Sequence, residues 1–532
     1  MKLTLVSLFA VSALQGVNSL PLFGFNFSFF PFFSPPSSSR PSPSKCFSCR
    51  GQRTSSIFIN PSAQPGLPSA QQASSAAASA GLNLTNIQGD VLIGMKKNKE
   101  LFFFFNIVDP KTFKSQLGAS ILPLITSTDQ LLSVSTQPIT TLNIAFSQKG
   151  LTALGKTDNL GDSLFSNGQL SDAPNLGDQT GNWVSAFAGT NIHGVLLLAS
   201  DTVDNVNSLL AQIQTTLASS ISEVYRIQGQ ARPGDQAGHE HFGYMDGISN
   251  PAISGFSTPL PGQAVIQPGI ILVGEQGDTT KRPSWAKDGS FLAFRQLQQR
   301  VPEFNKFLND NALSEPNLTA AQNAELLGAR MMGRWKSGAP IDLAPLADDP
   351  TLAADPQRNN NFNFTHPGFD LTTDQSHCPF SAHIRKTNPR ADLSGGNFRN
   401  HIIRAGIPYG PEVTDVETIS STSSTDPSLE RGLAFVAYQS SIATGFKFLQ
   451  QTWANNPSFH TSFLTNLPPS ANSVGQDPII GVASGGGARS SGGLDPLNTA
   501  KATSINQNFV ISRGGEYFFT PSLSAIQNTL SV

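Results

Sequence analysis

The side chains best suited to metal or redox chemistry lie in three short segments of the 532-residue chain. The first segment, His241–Ser249, reads HFGYMDGIS, and in it Gly243 and Gly247 flank Asp246. Glycine has no Cβ and lets the backbone approach a ligand closely. This segment is therefore a candidate ligand-binding loop that carries a carboxylate, although an ordinary Asp–Gly turn would show the same pattern.

The second and third segments add histidine and arginine. His377–Arg390 reads HCPFSAHIRKTNPR, and His383 lies in it close to three cations. A haem iron needs one axial protein ligand, most often histidine, and the cations would suit an anionic cofactor such as haem with its propionates. A basic surface loop is the alternative. The third segment, His401–Gly410, reads HIIRAGIPYG and contains Arg404.

A copper or non-haem iron site would instead need several histidines that converge. The best such cluster is His239-Glu240-His241, and the spacing of two histidines around one residue is weak support for a metal site. A secreted copper oxidase would also want a cysteine next to a ligand histidine, and His377-Cys378 is a lone pair of that kind. The sequence therefore disfavours the copper oxidase class.

The elements that must position these segments begin near residue 84. Four apolar runs and two helical stretches follow the order strand–helix–strand, strand–helix–strand, which is that of the split βαβ, ferredoxin-like unit. Asp109, followed by Pro110, is the predicted N-cap of the first helix, and Asp201 is that of the second. The predicted strands are 101–108, 141–147, 193–199 and 222–228, and the predicted helices are 111–117 and 203–217.

A second, looser unit of the same kind is predicted after a boundary near Gly289. The Gly/Ser-rich segment Ser484–Gly493 within it is predicted to be an exposed insertion. Its predicted strands are 290–296, 401–405, 433–439, 509–512 and 517–520. One predicted helix starts at 302, and two others cover 319–332 and 441–453.

The N-terminus has the features of a secretory signal peptide. Lys2 precedes the apolar run Leu3–Val17, and a small residue, Ser19, follows at a suitable cleavage position. The run is too short to span a bilayer, and no later stretch reaches about 18 consecutive apolar residues. The sequence thus predicts a signal peptide over 1–19, a low-complexity propeptide over 20–82, an N-terminal domain over 83–289 and a C-terminal domain over 290–532.

Composition limits the functions further. Charged residues make up 13 % of the chain and the formal net charge is −2, so the basic excess of a nucleic-acid-binding protein is missing. Cys46 and Cys49 form a C-x-x-C pair without the following histidine that covalent haem attachment requires. Cys378 is predicted to be a small buried residue. The N-x-Ser/Thr sequons at Asn83, Asn317 and Asn363 fit a secreted glycoprotein.

Taken together, the three segments resemble the dye-decolourising peroxidase family. The G-x-x-D-G motif is Gly243–Gly247, the stretch that holds the family's axial histidine is AHIRKTNPR, and the distal arginine precedes GIPYG. Asn86–Asp90 and Tyr438–Trp453 also look like the family, so the resemblance covers roughly residues 84–532. It implies an α+β fold of two ferredoxin-like domains, with antiparallel sheets and peripheral helices, that hold one haem b between them.

By this resemblance, His383 is the axial iron ligand, Asp246 the distal acid–base group and Arg404 its cationic partner. An Asp near its ordinary pKa of about 3.9 would favour acidic working conditions. The resemblance further implies that Arg390 contacts a haem propionate, that Gly247, Leu433 and Phe435 lie at the cofactor, that Asp477 holds the ring of His383, and that Tyr409 and Trp453 are surface radical sites.

Peroxidases of the plant and fungal type place a distal histidine four residues after an arginine. No histidine of this chain has an arginine at that position, so Asp246 with Arg404 is the better candidate pair.

The resemblance therefore implies a secreted peroxidase that reduces hydrogen peroxide through ferryl intermediates and oxidises bulky aromatic substrates such as dyes, phenolics and lignin-related compounds. A non-catalytic haem-binding protein is the alternative, and it would need neither Asp246 nor Arg404. Chlorite dismutation and haem handling, which occur on similar folds, fit the signal peptide and the distal Asp less well. The natural reducing substrate, manganese oxidation and the oligomeric state stay open.

Overall fold

A computed structural model describes residues 67–95, 98–189, 191–393, 399–459 and 474–532 of the chain. Most of the predicted strands are present, because the apolar runs become strands. The predicted strands 509–512 and 517–520 are instead one continuous strand, and five short strands were not predicted. The strands are β1 Lys99–Ile107, β2 Thr141–Phe146, β3 Gly194–Ser200, β4 Ile221–Gln230, β5 Ala252–Ile253, β6 Val265–Ile266, β7 Ser290–Gln299, β8 Ile403–Arg404, β9 Ile407–Tyr409, β10 Gly432–Gln439, β11 Arg489–Gly492, β12 Ala502–Ile505 and β13 Val510–Thr520.

Nine of the described strands form one sheet in the order β7-β13-β2-β3-β1-β4-β9-β10-β8, and all of its pairings are antiparallel. β7 also pairs with β10, so the sheet closes on itself. Strands β1 to β4 supply one half of this barrel, and β7, β9, β10 and β13 supply the other. The halves join at Phe519 opposite Phe146 and at Gly229 opposite Tyr409. This α+β architecture is the predicted pair of ferredoxin-like halves, now joined edge to edge.

The phenylalanine-rich strand β1 shows why the halves hold together. Its side chains alternate between two cores, with Phe102 and Phe104 in one and Phe103 and Phe105 in the other. Because successive residues of a strand point to opposite faces, a continuous run of phenylalanine indicates a strand that is buried on both sides. Phe104 packs edge-on against Phe294 of β7, with ring centroids 4.9 Å apart, so the first core spans both halves.

Helices pack against the strands of the barrel. Asp109 caps the helix Pro110–Gln116, as predicted, by accepting hydrogen bonds from two backbone N–H groups. The α-helices are α1 Ala70–Ala80, α2 Gly89–Leu92, α3 Pro110–Gln116, α4 Thr128–Leu132, α5 Gln148–Ala153, α6 Ser163–Asn167, α7 Gln169–Leu176, α8 Val203–Leu217, α9 Val301–Asp310, α10 Ala320–Met332, α11 Pro350–Ala354, α12 His383–Thr387, α13 Asp415–Ser420 and α14 Leu523–Ala525.

Two local predictions about helices are wrong in detail. Thr202, not Asp201, is the N-cap of α8, because the Thr202 hydroxyl accepts the N–H of Asn205. The helix predicted over 441–453 ends in a π-helix at Phe448–Ala454, where the N–H of Asn455 reaches the carbonyl of Gln450. A short π-helix such as this one leaves no hydrophobic periodicity in the sequence by which it could be predicted.

The ranges predicted as a low-complexity propeptide and as an exposed insertion contain regular elements in the residues that the structure describes. The low-complexity range 20–82 ends in α1, which begins with a capping box at Ser69 and buries Ala73 and Ala77. The Gly/Ser-rich range 484–493 is not simply an exposed insertion, because Arg489–Gly492 forms β11 and pairs with β12. Small side chains hide such elements in a sequence, since they carry little apolar periodicity.

Several predictions fall on residues outside the ranges that the structure describes. The signal peptide over 1–19, the C-x-x-C pair and most of the proposed propeptide precede residue 67. The boundary near Gly289 stays a prediction. No helix in the described parts of the chain has the length and apolar character that crossing a membrane requires.

Candidate active site

His383 is the first residue of α12, and a buried carboxylate orients its ring. Nδ1 of His383 lies 2.7 Å from Oδ2 of Asp477. Asp477 is completely buried, and its Oδ1 accepts the backbone N–H groups of Ile479 and Ile480 at 2.8 and 3.0 Å. A neutral histidine that donates from Nδ1 keeps the lone pair on Nε2, which is the atom an axial ligand needs.

The His383–Asp477 pair is also electrostatically coupled. Burial alone would lower the pKa of His383, but the Asp477 carboxylate outweighs burial and raises that pKa. Burial would likewise raise the pKa of Asp477, but the charge and hydrogen bond of His383 lower it. An anionic carboxylate behind the ring makes the imidazole a stronger electron donor to a metal.

Asp246 and Arg404 form the second pair. Nη1 of Arg404 donates to Oδ1 of Asp246 at 2.6 Å, and the backbone N–H of Gly247 donates to the same oxygen at 2.6 Å. Gly247 has a φ of +83°, a conformation that favours glycine. Asn250 fixes the distance between the two segments, because its side chain bonds both the carbonyl and the N–H of Arg404, at 3.0 and 3.1 Å.

The charge of Arg404 controls the ionisation of Asp246. Burial would raise the pKa of Asp246, but Arg404 and the N–H of Gly247 lower it below the ordinary value of 3.8. The side chain of Asp246 is still 37 % exposed, because it faces the open space of a cavity. A carboxylate in this state is ionised down to acidic pH and can accept a proton from a molecule in the cavity.

His383, Asp246 and Arg404 line the same cavity, whose empty space amounts to about 1920 Å³ when the adjoining open solvent is included. Gly247, Leu433 and Phe435, which were predicted to lie at a cofactor, also line it, and the two latter belong to β10. The cavity wall is mostly apolar elsewhere, with Ile384, Leu449, Ile479 and Val510 among its residues. It is therefore a large apolar pocket with a few convergent charged groups, the usual form of a cofactor site.

One buried and one half-buried arginine give this cavity a positive side. Arg390, predicted from the sequence, and Arg334, which was missed, both line it. Burial lowers the pKa of Arg390 to about 10, while burial and the charges of Arg390 and Arg404 lower that of Arg334 to about 9. Backbone carbonyls hold both guanidinium groups, and neither has a carboxylate partner among the described residues.

Buried cations without an anionic partner are costly, so their presence indicates an anionic ligand. An apolar slot with a histidine whose lone pair is free and two unneutralised arginines fits haem and its propionates. No signal in the sequence singled out Arg334, which follows α10 in the stretch MMGRW, far from the three motifs. Asn250, three residues after the G-x-x-D-G motif, was missed as well.

Tyr409 and Trp453, predicted as surface radical sites, are not at the surface in the described structure. Tyr409 is 5 % exposed and its hydroxyl donates to Glu430 at 2.8 Å. Trp453 is 2 % exposed and stacks on Phe459, with ring centroids 5.0 Å apart. Both lie in packed interiors: Tyr409 belongs to β9, which pairs with β10 in the sheet, and Trp453 lies in the π-helix. Electron transfer through either residue stays a prediction.

Comparison with known proteins identifies the relatives of the chain. Residues 86–233 match the DyP dimeric alpha+beta barrel domain, and residues 239–466 match the C-terminal domain of Dyp-type peroxidases. The chain is 64 % identical to Peroxidase 2 of Mycetinis scorodonius over 100 % of both chains. It is 55 % identical to a dye-decolorizing peroxidase of Auricularia auricula-judae, over 90 % of this chain and 92 % of that protein. A crystal structure of a decolorizing peroxidase from Auricularia auricula-judae is 56 % identical, covers 85 % of this chain and 100 % of that chain, and gives a TM-score of 0.80.

The barrel is closed from two ferredoxin-like halves, and known peroxidases match the chain along almost its whole length. The chain is therefore a peroxidase enzyme. More particularly, the chain belongs to the dye-decolorizing peroxidase family. The peroxidases of this family are haem enzymes, and their reactants are hydrogen peroxide and reducing substrates such as dyes.

Proposed function

We propose that the chain is a secreted haem peroxidase that binds one haem b in the cavity described above and oxidises bulky aromatic substrates with hydrogen peroxide. The observation that supports this most directly is the ion pair of Arg404 with Asp246 in the cavity that also contains His383. A haem carrier without turnover needs the histidine but has no use for a paired acid–base group and cation.

The proposed work of each side chain follows from its bonds. His383 would hold the iron through Nε2, while Asp477 fixes its ring. Arg334 and Arg390 would neutralise the propionates, and Leu433 and Phe435 would exclude water. Bound haem would supply the redox centre for the two-electron reduction of peroxide.

Asp246 moves the proton. Its carboxylate accepts the proton from one peroxide oxygen and returns it to the other as the O–O bond breaks. The positive charge of Arg404 stabilises the peroxide anion and the negative charge that develops as the O–O bond breaks. Because Oδ1 of Asp246 holds both Arg404 and the N–H of Gly247, Oδ2 is the oxygen that is free to take the proton.

The proposal that the protein is secreted rests on the apolar run Leu3–Val17 after Lys2, which is the pattern of a signal peptide. The three sequon asparagines, Asn83, Asn317 and Asn363, are all exposed in the structure, as glycosylation in a secretory pathway would require. Identifying the first residue and the glycans of the protein exported by its producing cells tests both points.

Stopped-flow spectroscopy of the haem-reconstituted protein tests the catalytic proposal. On mixing with hydrogen peroxide, the wild type should change its haem spectrum rapidly, and Asp246→Asn should react about 10²- to 10⁴-fold more slowly. Asp235→Asn, which alters an exposed carboxylate outside the cavity, is the matched control. If haem binds but wild type and variant both ignore peroxide, the protein is a haem carrier. If Asp246→Asn reacts as fast as wild type, Asp246 has no acid–base role.

A further inference from the structure

A second group of potential metal ligands lies outside the cavity. Among the residues that the structure describes, His366, Asp374 and His377 each offer one ligand atom, and these atoms all lie within 4.8 Å of one another. Their side chains are 15 %, 5 % and 23 % exposed, so the group is sheltered but open to small ions. None of the three lines the cavity. We call these residues, together with Asp342, the His366 cluster.

Asp342 orients His366. Its Oδ1 lies 3.0 Å from Nε2 of His366, while its Oδ2 has no hydrogen-bond partner although the side chain is 98 % buried. A buried carboxylate oxygen without a partner is costly, and in metal sites a carboxylate commonly accepts the second N–H of a ligating histidine. With Nε2–H donated to Asp342, the lone pair of neutral His366 is on Nδ1.

Asp374 and His377 are held in a similar way. Oδ1 of Asp374 accepts the N–H and the hydroxyl of Ser376 at 3.0 and 2.6 Å, and its Oδ2 lies 3.3 Å from Nδ1 of His377. The guanidinium of Arg330 binds the carbonyls of Ser376 and His377 at 3.0 Å each. The backbone under both ligands is thereby anchored to α10.

The two imidazoles are stacked, with ring centroids 3.7 Å apart and planes 13° apart, and Phe369 packs edge-on against His377. Neutral imidazole is the form of histidine that binds metals. Imidazole nitrogens with a carboxylate suit zinc or copper, whereas magnesium, calcium and manganese prefer sites made only of oxygen.

We propose that the His366 cluster binds one divalent ion of the zinc or copper class through His366, Asp374 and His377, with Asp342 as the positioning carboxylate. Such an ion would fasten the segment 366–377, which leads directly to the axial-ligand helix α12, onto the segment around Asp342. The site is separate from the proposed haem pocket, so its metal is not a reactant of the peroxidase.

Calorimetric titration of the purified, tag-free full-length protein with Zn²⁺ tests the proposal. The chain should carry Cys46→Ser and Cys49→Ser, because a C-x-x-C pair also binds zinc. We expect one ion per chain, and a dissociation constant at least about tenfold weaker in His366→Gln, His377→Gln and Asp374→Asn. Asp374→Asn retains an oxygen for the Ser376 hydrogen bonds, so it stays informative if a histidine variant does not fold.

Two variants outside the ligand set serve as matched controls and should bind Zn²⁺ as wild type does. Asp370→Asn removes an exposed carboxylate of the same loop, and His239→Gln removes a histidine elsewhere. The proposal is wrong if wild type takes up no Zn²⁺, or if the ligand variants bind it as tightly as these controls. Tighter binding of Mn²⁺ than of Zn²⁺ would contradict the assignment to imidazole ligands.

Discussion

Arg404 and Asp246 are 158 residues apart in the chain, yet Nη1 of the arginine lies 2.6 Å from Oδ1 of the aspartate. Two features bring them together. Arg404 lies on β8, which pairs with β10 at Ala437. Asn250 bonds both backbone polar groups of Arg404 from the loop that carries Asp246. The ion pair is thus built into the backbone and does not depend on chance contact between two long side chains.

The ion pair predicts how the peroxide reaction depends on pH. Asp246 must be ionised to accept a proton, and Arg404 lowers its pKa. In Arg404→Leu the arginine charge no longer opposes the effect of burial, although the N–H of Gly247 still does. The pKa of Asp246 therefore rises, and the acidic limb of kcat/KM for peroxide should move to higher pH. Arg404→Lys retains the charge and should lie nearer to wild type.

This prediction is checked by pH profiles of kcat/KM from about pH 2.5 to 6. Arg358→Leu removes an exposed arginine outside the cavity and should leave the profile in place. An unchanged acidic limb in Arg404→Leu would show that the arginine does not set the ionisation of Asp246.

The His383–Asp477 pair predicts a change at the haem itself. In Asp477→Asn the ring of His383 loses its anionic partner and donates less electron density to the iron, so the Fe(III)/Fe(II) reduction potential should rise. Loss of such a partner typically weakens metal affinity or activity by about 10- to 100-fold. Redox titration followed in the haem spectrum measures the potential, with Asp495→Asn as a control at a carboxylate outside the cavity. A potential equal to that of wild type would argue against the assignment of His383 as axial ligand.

The two arginines of the cavity predict where haem affinity comes from. Arg334→Met and Arg390→Met each remove one positive charge that has no carboxylate partner among the described residues, so haem should dissociate faster from both variants. Transfer of haem to apomyoglobin measures the dissociation rate. Arg358→Met supplies the matched exposed change. If Arg334→Met releases haem at the wild-type rate, Arg334 has only a structural role in holding backbone carbonyls.

A buried ion pair outside the cavity predicts the acid stability of the fold. Glu417 and Arg431 have side chains 3 % and 2 % exposed and are joined by bonds of 2.7 and 2.9 Å. Burial alone would raise the pKa of Glu417, but Arg431 and backbone N–H groups lower it to about 2. Folding therefore favours the ionised form. This stabilisation is complete above the ordinary pKa of 4.5 and is lost as the pH falls towards 2.

Glu417→Gln should destabilise the protein at neutral pH by about 3 kcal/mol, because it leaves Arg431 buried without its partner. It should also flatten the fall in unfolding free energy between pH 4.5 and 2. Denaturant unfolding at several pH values measures both effects. The comparison is Glu325→Gln, which breaks a pair with Lys336 whose side chains are 49 % and 39 % exposed, and whose loss should cost less than about 1 kcal/mol. Equal effects of the two substitutions would contradict the importance assigned to burial.

The sequence by itself determined most strands of the large sheet, the fold class and the motif residues. Apolar runs such as that of β1 can be satisfied only as buried strands. His383, Asp246 and Arg404 lie in motifs whose spacing is local. Local spacing and hydrophobic period are properties of the chain alone, so they can be read without coordinates.

Only the tertiary structure decided how the two halves close and which distant residues meet. Barrel closure depends on pairing between β7 and β10 and between β4 and β9, which are far apart in the chain. Arg334 enters the cavity, and Tyr409 and Trp453 become buried, because of packing that no local pattern encodes. The clustering of His366 with Asp342 and His377 has the same origin, since long-range contacts are fixed by the packing of whole elements and not by the sequence around each residue.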